Sequence, residues 1–413
     1  MSASETTALL PNGNGSNPPP TFIHRVKTLI AAEGEPSWIQ SYRFFLFGSY
    51  LNLFLLFVPL SIISHYLNLD AALRFSFSFI AIIPLAKLLG EATEQMSAKL
   101  GQTLAGLLNA SFGNAVEIIV GIAALLQNEL RIVQTSMLGS ILSNLLLVLG
   151  CSFLAAGTKF KESNFQVTAA QASSSLMTLA CITLVIPAAY HSTMLEAEGA
   201  KNNMGRLFST EIDSVDQAGL LVISRGTAII LLGVYVAYLF FQLKTHAYLF
   251  EAEEQEAEAP KMSVVAAGVA LLATTVVTSF CADFLVASIE ETAKRYSIPK
   301  PFIGLILLPI VANAAEHVTS VWMAMKGQME LTIGICVGSS IQIATFVVPL
   351  LVIVGWIAGH ELTLFFANFE TITLFVSVFL VNTLIQDGKS NYMEGLMLVS
   401  LYLVIALAFW VTD

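Results

Sequence analysis

Long apolar runs, broken only by short polar stretches, leave this chain little choice but a lipid bilayer. A helix that crosses the hydrocarbon layer needs about 20 mainly apolar residues, and it must satisfy every backbone polar group within itself. Runs of this kind lie near 44–66, 71–96, 102–126, 132–156, 168–190, 218–243, 262–287, 301–325, 331–356, 365–386 and 393–411. Charged residues make up only 12% of the 413 residues, against roughly 25% in soluble domains. The expected fold is an all-α polytopic membrane protein with 11 transmembrane helices.

Several function classes fall away on the same grounds. A net charge of −10 offers no basic face for nucleic acid. Cys151, Cys181, Cys281 and Cys336 sit inside apolar runs without paired spacing, so they read as small buried side chains and not as a disulfide frame or zinc site. The stretch "HELTL" at 360–364 lacks the second histidine of a metalloprotease helix, and no phosphate-binding loop is present. Neither an enzyme nor a cofactor is expected. Residues 1–43 are polar and rich in Pro, Gly, Asn and Ser, without the basic start and apolar core of a signal peptide. They read as a disordered cytosolic tail, in which Glu5, Leu9 and Leu10 match an acidic dileucine sorting pattern.

An internal repeat carries more information. Asn114, Ala115 and Glu117 of "SFGNAVEIIV" recur as Asn313, Ala314 and Glu316 of "IVANAAEHVT". Gly139-Ser140 recurs as Gly338-Ser339, again 199 residues on (338 − 139), and the same offset pairs Glu91 with Glu290 and Gln171 with Glu370. Five crossings separate the third span from the eighth, so the copies run antiparallel. Inverted repeats mark secondary transporters, which hold substrate at mid-membrane between the repeats. The expected organisation is an extra helix at 44–66, a five-helix repeat at 71–243, an acidic cytosolic linker at 244–261 and a second five-helix repeat at 262–411. Ten Lys and Arg against eight fall on the N-terminal side of the membrane, which orients the N-terminus to the cytosol and the C-terminus to the lumen.

The repeated residues define a chemistry. A carboxylate at the centre of a span costs about 2.5–3.5 kcal/mol, so Glu117 and Glu316 demand a function. Each follows its Asn by three positions and shares a helix face with it. Ser140 and Ser143 in one neighbouring span, Ser339 and Gln342 in the other, add hydroxyl and amide oxygens. A ligand set made only of oxygen suits a hard cation, and two carboxylates neutralise Ca²⁺. Gly113 and Pro309 mark places where the helices can break and offer carbonyls. With no cation present, two carboxylates ~6 Å apart at an effective dielectric of ~20 repel by roughly 2.8 kcal/mol, so the pair should take up protons and calcium should expel them. His317, beside Glu316, adds a group of the right type for proton coupling. Interhelical hydrogen-bonding is the competing reading of one such Asn–Glu pair. Lys87, Glu91 and Glu94 share one side of the second span and read as an ion pair near the membrane surface.

The stretches "LLNASFGNAVEIIV", "RIVQTSMLGSILSNLLLVLG", "FIGLILLPIVANAAEHVTSV" and "VGSSIQIATFVVPL" resemble the calcium/proton exchangers of the cation/calcium antiporter superfamily, in particular the fungal vacuolar members. The resemblance spans residues 44–411. It implies exchange of cytosolic Ca²⁺ for lumenal H⁺ across the vacuolar membrane, with Ca²⁺ and H⁺ as the partners and the oligomeric state left open. By resemblance, Glu117 and Glu316 carry the transported calcium with Asn114 and Asn313 in support, and Ser140, Ser143, Ser339 and Gln342 surround the site. The resemblance also places Glu94 on the cytosol-side path, with Glu290 and Glu291 as its counterparts on the other face. Glu251, Glu253, Glu254, Glu256 and Glu258 would form an acidic cytosolic helix that could sense calcium. Ala312 departs from the family's usual Gly, which puts a left-handed conformation at the second helix break in question. Asp283 and Glu370 are embedded acids to which no role attaches. The alternatives are Na⁺/Ca²⁺ exchange and Mn²⁺ transport. Sodium-coupled relatives carry Gly-(Asn/Thr)-Ser-x-Pro-Glu repeats, whereas Val116 and Ala315 precede the glutamates here, which favours protons.

Overall fold

A computed structural model describes residues 36–100, 102–201, 209–246 and 260–411. The expected N-terminal tail up to residue 35 and the acidic run 251–258 lie outside the described residues. The regular structure of the described chain is helical apart from one two-stranded pair, Ser163–Asn164 (β1) against Lys389–Ser390 (β2). Seven of its helices are long and apolar enough to cross a membrane, and two bent helix pairs also pass as single spans.

The first expected span is not one helix. The chain forms α1 (Trp38–Phe47) and α2 (Tyr50–Tyr66), at 87° to each other. Gly48 closes α1, and Ser49 then runs extended and caps the next turn by accepting from the Leu51 amide. Gly48 and Ser49 interrupt the apolar run for only two residues, so a hydropathy average hides the corner.

The following helices are α3 (Ala71–Leu100), α4 (Gln102–Phe112), α5 (Ala115–Leu126), α6 (Leu130–Gly157), α7 (Val167–Lys201) and α8 (Ser209–Phe240). Then come α9 (Val264–Tyr296), α10 (Lys300–Ala312), α11 (Ala314–Met325), α12 (Met329–Ala358), α13 (Asn368–Leu384) and α14 (Tyr392–Trp410). Local signals set the ends. Ser263 caps α9 by accepting from the Ala266 amide, Gly359 ends α12 at φ 81°, and Asn391 caps α14 through the Met393 and Glu394 amides.

Two pairs of elements begin at the same 199-residue spacing as the sequence matches: α5 and α11, at Ala115 and Ala314, and α6 and α12, at Leu130 and Met329. Both α6 and α12 carry a π-helical segment just past mid-helix, Ser143–Val148 and Ile343–Val347. Such segments cluster at functional sites, and nothing in the apolar pattern announces them. Among the long helices α6 is the most buried.

Around this centre, α3 lies along α9 and the pair is tied at both ends. Arg74 bonds Glu291 at 2.5 Å and Arg295 pairs with Asp70 at one end. At the other, Gln95 Oε1 accepts from the Lys261 and Met262 amides at 2.7 and 3.1 Å.

The crossing of α10 on α6 is unusually close. A Cβ on Gly139 would stand 2.2 Å from the Leu305 carbonyl oxygen and 2.6 Å from Pro309 Cγ, and one on Gly304 would stand 2.0 Å from Thr135 Oγ1. In α12 the sequence-matched Gly338, with Gly334 one turn earlier, has open space where a Cβ would be. The helix matched to α10, which is α4, packs instead on α3 and, through Gly106, on Leu243.

Candidate ion-binding site

Both Asn–Glu stretches sit at a helix break. Gly113 closes α4, where a Cβ would meet the Asn109 carbonyl oxygen at 2.5 Å, and Asn114 begins α5. On the other side the chain bends by 57° between α10 and α11, with Asn313 at the corner and Pro309 four residues before it. Asn313 makes the corner at φ −85°, and Ala312 is not among the positive-φ residues, so this break needs no glycine at 312. The breaks place Glu117 and Glu316 in the first turns of α5 and α11, where the helix dipole favours a carboxylate.

Neither asparagine caps its own helix. Each turns its amide across the protein instead: Asn114 Nδ2 donates to Gln342 Oε1 at 2.6 Å, and Asn313 Nδ2 donates to the Ser140 carbonyl at 3.2 Å. Those bonds join α5 to α12 and α11 to α6. They use the amide nitrogens and leave Asn114 Oδ1 and Asn313 Oδ1 buried without a hydrogen-bond partner. Glu117 is 3% exposed. Glu316 Oε1 accepts from Ser339 Oγ at 2.5 Å, while its Oε2 is buried without a partner, as is Ser143 Oγ.

Buried acceptor oxygens without donors are costly. A hard cation satisfies such atoms, and protons on the carboxylates do so in part. Among the described residues no three His, Cys, Asp or Glu are grouped as a metal site. Two carboxylates supplemented by amide, hydroxyl and carbonyl oxygens are therefore what this site offers.

Glu117 and Glu316 line one cavity of about 340 Å³. It runs along α3 past Lys87, Gly90, Glu91 and Glu94, towards the end where Gln95 holds Lys261. The expected ion pair of the second span therefore lies inside the vestibule, where Lys87 bonds Glu91, and Glu94 lines the same cavity. Gly90 has open space where a Cβ would be, so the absent side chain widens the passage.

Other expectations fall elsewhere. His317 is half-buried but does not line the cavity, because one helical step turns it away from the face of Glu316. Glu290 and Glu291 sit at the far end of α9 in ion pairs with Lys294 and Arg74. Glu370 is buried, paired with Arg131, and accepts from the Ala367 amide at 3.0 Å at the start of α13. Asp283 Oδ1 accepts from Gln127 Nε2 at 2.6 Å. These last two acids tie helices together. Sequence reasoning missed Asn144, whose buried amide lies beside Glu316 although neither of its polar atoms completes a hydrogen bond. Ile343 stands at the matched position, so the repeat gave no signal for it.

The profile of the sodium/calcium exchanger protein family matches residues 70–244 and 266–411. The chain belongs to this family. It is 47% identical over 368 residues to a vacuolar calcium ion transporter of Schizosaccharomyces pombe, covering 88% of this chain and 85% of the relative. It is 40% identical over 389 residues to vacuolar cation/proton exchanger 5 of Arabidopsis thaliana, covering 91% and 84%. Among solved structures, native YfkE superposes with a TM-score of 0.71 at 33% identity, over 87% of this chain and all of that one. The H⁺/Ca²⁺ exchanger CAX shares the fold, with a TM-score of 0.60 at 14% identity over 87% and 91% of the two chains. The two curated relatives are named for vacuolar transport of calcium and for vacuolar cation/proton exchange.

Proposed function

We propose that this protein exchanges cytosolic Ca²⁺ for lumenal H⁺ across the membrane of an acidic vacuole, with Glu117 and Glu316 binding the cation and the protons in turn. The observation that carries the reading is the pair of glutamates at two matched helix breaks, facing one cavity, with both Asn Oδ1 atoms buried and undonated. Ca²⁺ would balance both carboxylates and satisfy the stranded oxygens. When it leaves, repulsion between the carboxylates and burial would draw protons onto them.

The architecture proposed with it has eleven spans: the helices that qualify alone, the two bent pairs, and the shorter apolar helices Ala115–Leu126 and Asn368–Leu384. An extra first helix precedes two inverted five-helix repeats, 71–243 and 262–411, with the N-terminus cytosolic and the C-terminus lumenal. Support comes from the constant spacing of α5 with α11 and α6 with α12. The vestibule along α3 then faces the cytosol. Alternation follows if α4 takes up on α12 the crossing that α10 now makes on α6.

Uptake of ⁴⁵Ca²⁺ into acid-loaded vesicles tests the reading. Uptake that stops with a protonophore is expected. Equal uptake driven by a sodium gradient at uniform pH would overturn the proton coupling.

A further inference from the structure

The vestibule contains one group that cation exchange as described leaves unused. Among the described residues, the carboxylates of Glu91, Glu94, Glu117 and Glu316 line the cavity together with one ammonium, that of Lys87. Lys87 bonds Glu91 one turn further along α3, and the two side chains are only 22% and 14% exposed. A helix-stabilising pair normally sits on a water-exposed face, where the charges are solvated. Here a fixed positive charge stands on the wall of the passage, in repulsion with every cation that passes.

The geometry gives that charge a use. Glu91 stands on the cavity wall, one turn along α3 from Lys87 and in the same cavity as Glu117 and Glu316. Unneutralised, Glu91 would make this wall an oxygen-donor trap for a dication upstream of Glu117 and Glu316. The Lys87 ammonium occupies Glu91 and lowers the negative charge that a cation meets before the central pair. We propose that Lys87 is a tethered counter-cation that keeps Glu91 from capturing calcium, and so sets the apparent affinity and the turnover of exchange. The inference rests on the reading that Ca²⁺ enters through this vestibule.

Opposite single substitutions should then act in opposite directions. Lys87→Met frees Glu91, so KM for Ca²⁺ should fall and the maximal rate should fall with it, as the ion lingers. Glu91→Gln leaves Lys87 unneutralised, so KM should rise. On the walls of such a cavity charges lie on the order of 10 Å apart, and even at the dielectric of water a unit charge at that distance changes the occupancy of a dication about fourfold. The double variant restores the charge balance and should return KM to within about twofold of the parent, an effect that a merely structural pair does not produce. Lys87→Arg keeps the charge and should leave KM unchanged.

The assay is ⁴⁵Ca²⁺ uptake into acid-loaded vesicles, normalised to folded protein measured by size-exclusion chromatography. KM shifts of the same sign in the two single variants, or a double variant no nearer to the parent than either, would overturn the proposal. If Lys87→Met does not fold, Lys87→Arg and Glu91→Gln decide: a changed KM in the first, or no rise in the second, refutes it. Absence of proton-driven uptake by the unsubstituted protein would instead refute the exchange reading on which it rests.

Discussion

Gly139 and Gly338 occupy matched positions in the sequence, and alanine at each should have opposite consequences for stability. A Cβ on Gly139 meets the Leu305 carbonyl oxygen at 2.2 Å and the Leu305 carbonyl carbon at 2.7 Å. These are backbone atoms, which cannot swing aside, so α10 must move off α6. Overpacking of this kind costs about 1–3 kcal/mol, which disfavours the present arrangement by a factor of about 5–150. Gly338 has no atom within 4 Å of its Cβ position, and alanine is the better helix former, by up to about 1 kcal/mol. Gly338→Ala should therefore melt in detergent at or slightly above the parent temperature, and Gly139→Ala several degrees below it. Retention of the monodisperse size-exclusion peak after heating measures this. Under the proposed alternation the cost at Gly338 moves to the opposite-facing state, so Gly338→Ala should be stable yet slow, with uptake reduced roughly tenfold or more. Equal melting of the two variants, or a Gly338→Ala protein less stable than Gly139→Ala, would refute the reasoning.

Three more outcomes are expected. Glu117→Gln and Glu316→Gln are near-isosteric and should insert and fold but each lose ⁴⁵Ca²⁺ uptake, whereas full transport in either would end the shared-site mechanism. The Cβ of Gly90→Leu meets no atom within 4 Å and its side chain starts from the vestibule wall, so uptake should fall at least tenfold with an unchanged melting temperature; normal uptake would show that cations take another route. His317→Ala, at a residue that does not line the cavity, should leave the pH profile of transport unchanged, and a shifted profile would restore His317 to the proton path.

The helical fold and the two glutamates that meet at the candidate site were legible in the sequence, because both rest on local and periodic signals. The cost of unsatisfied polar groups in lipid forces apolar runs into helices, so the runs pointed to an all-helical fold, though not to where each helix breaks. The same cost made Glu117 and Glu316 conspicuous, and the 199-residue offset made them a pair. Gly113 and Pro309 pointed to the breaks, the first at its corner and the second four residues before it, because backbone freedom and a missing amide donor are written in residue type. The corner between α1 and α2 was missed, since Gly48 and Ser49 interrupt the apolar run for only two residues. The direction of each Asn amide, the stranded Oδ1 atoms and the place of Asn144 beside Glu316 depend on residues from other helices, and so no local pattern encodes them. His317 shows the converse, a titratable side chain adjacent in sequence to the key glutamate and turned off its face by one helical step. The pair Gly139 and Gly338 draws the line most clearly. Sequence determined that both positions are glycine, in the same Gly-Ser setting. Tertiary packing alone decided that one is jammed beneath α10 while the other has open space at its Cβ, because what lies beside a glycine is set by a helix distant in sequence and not by its own neighbours.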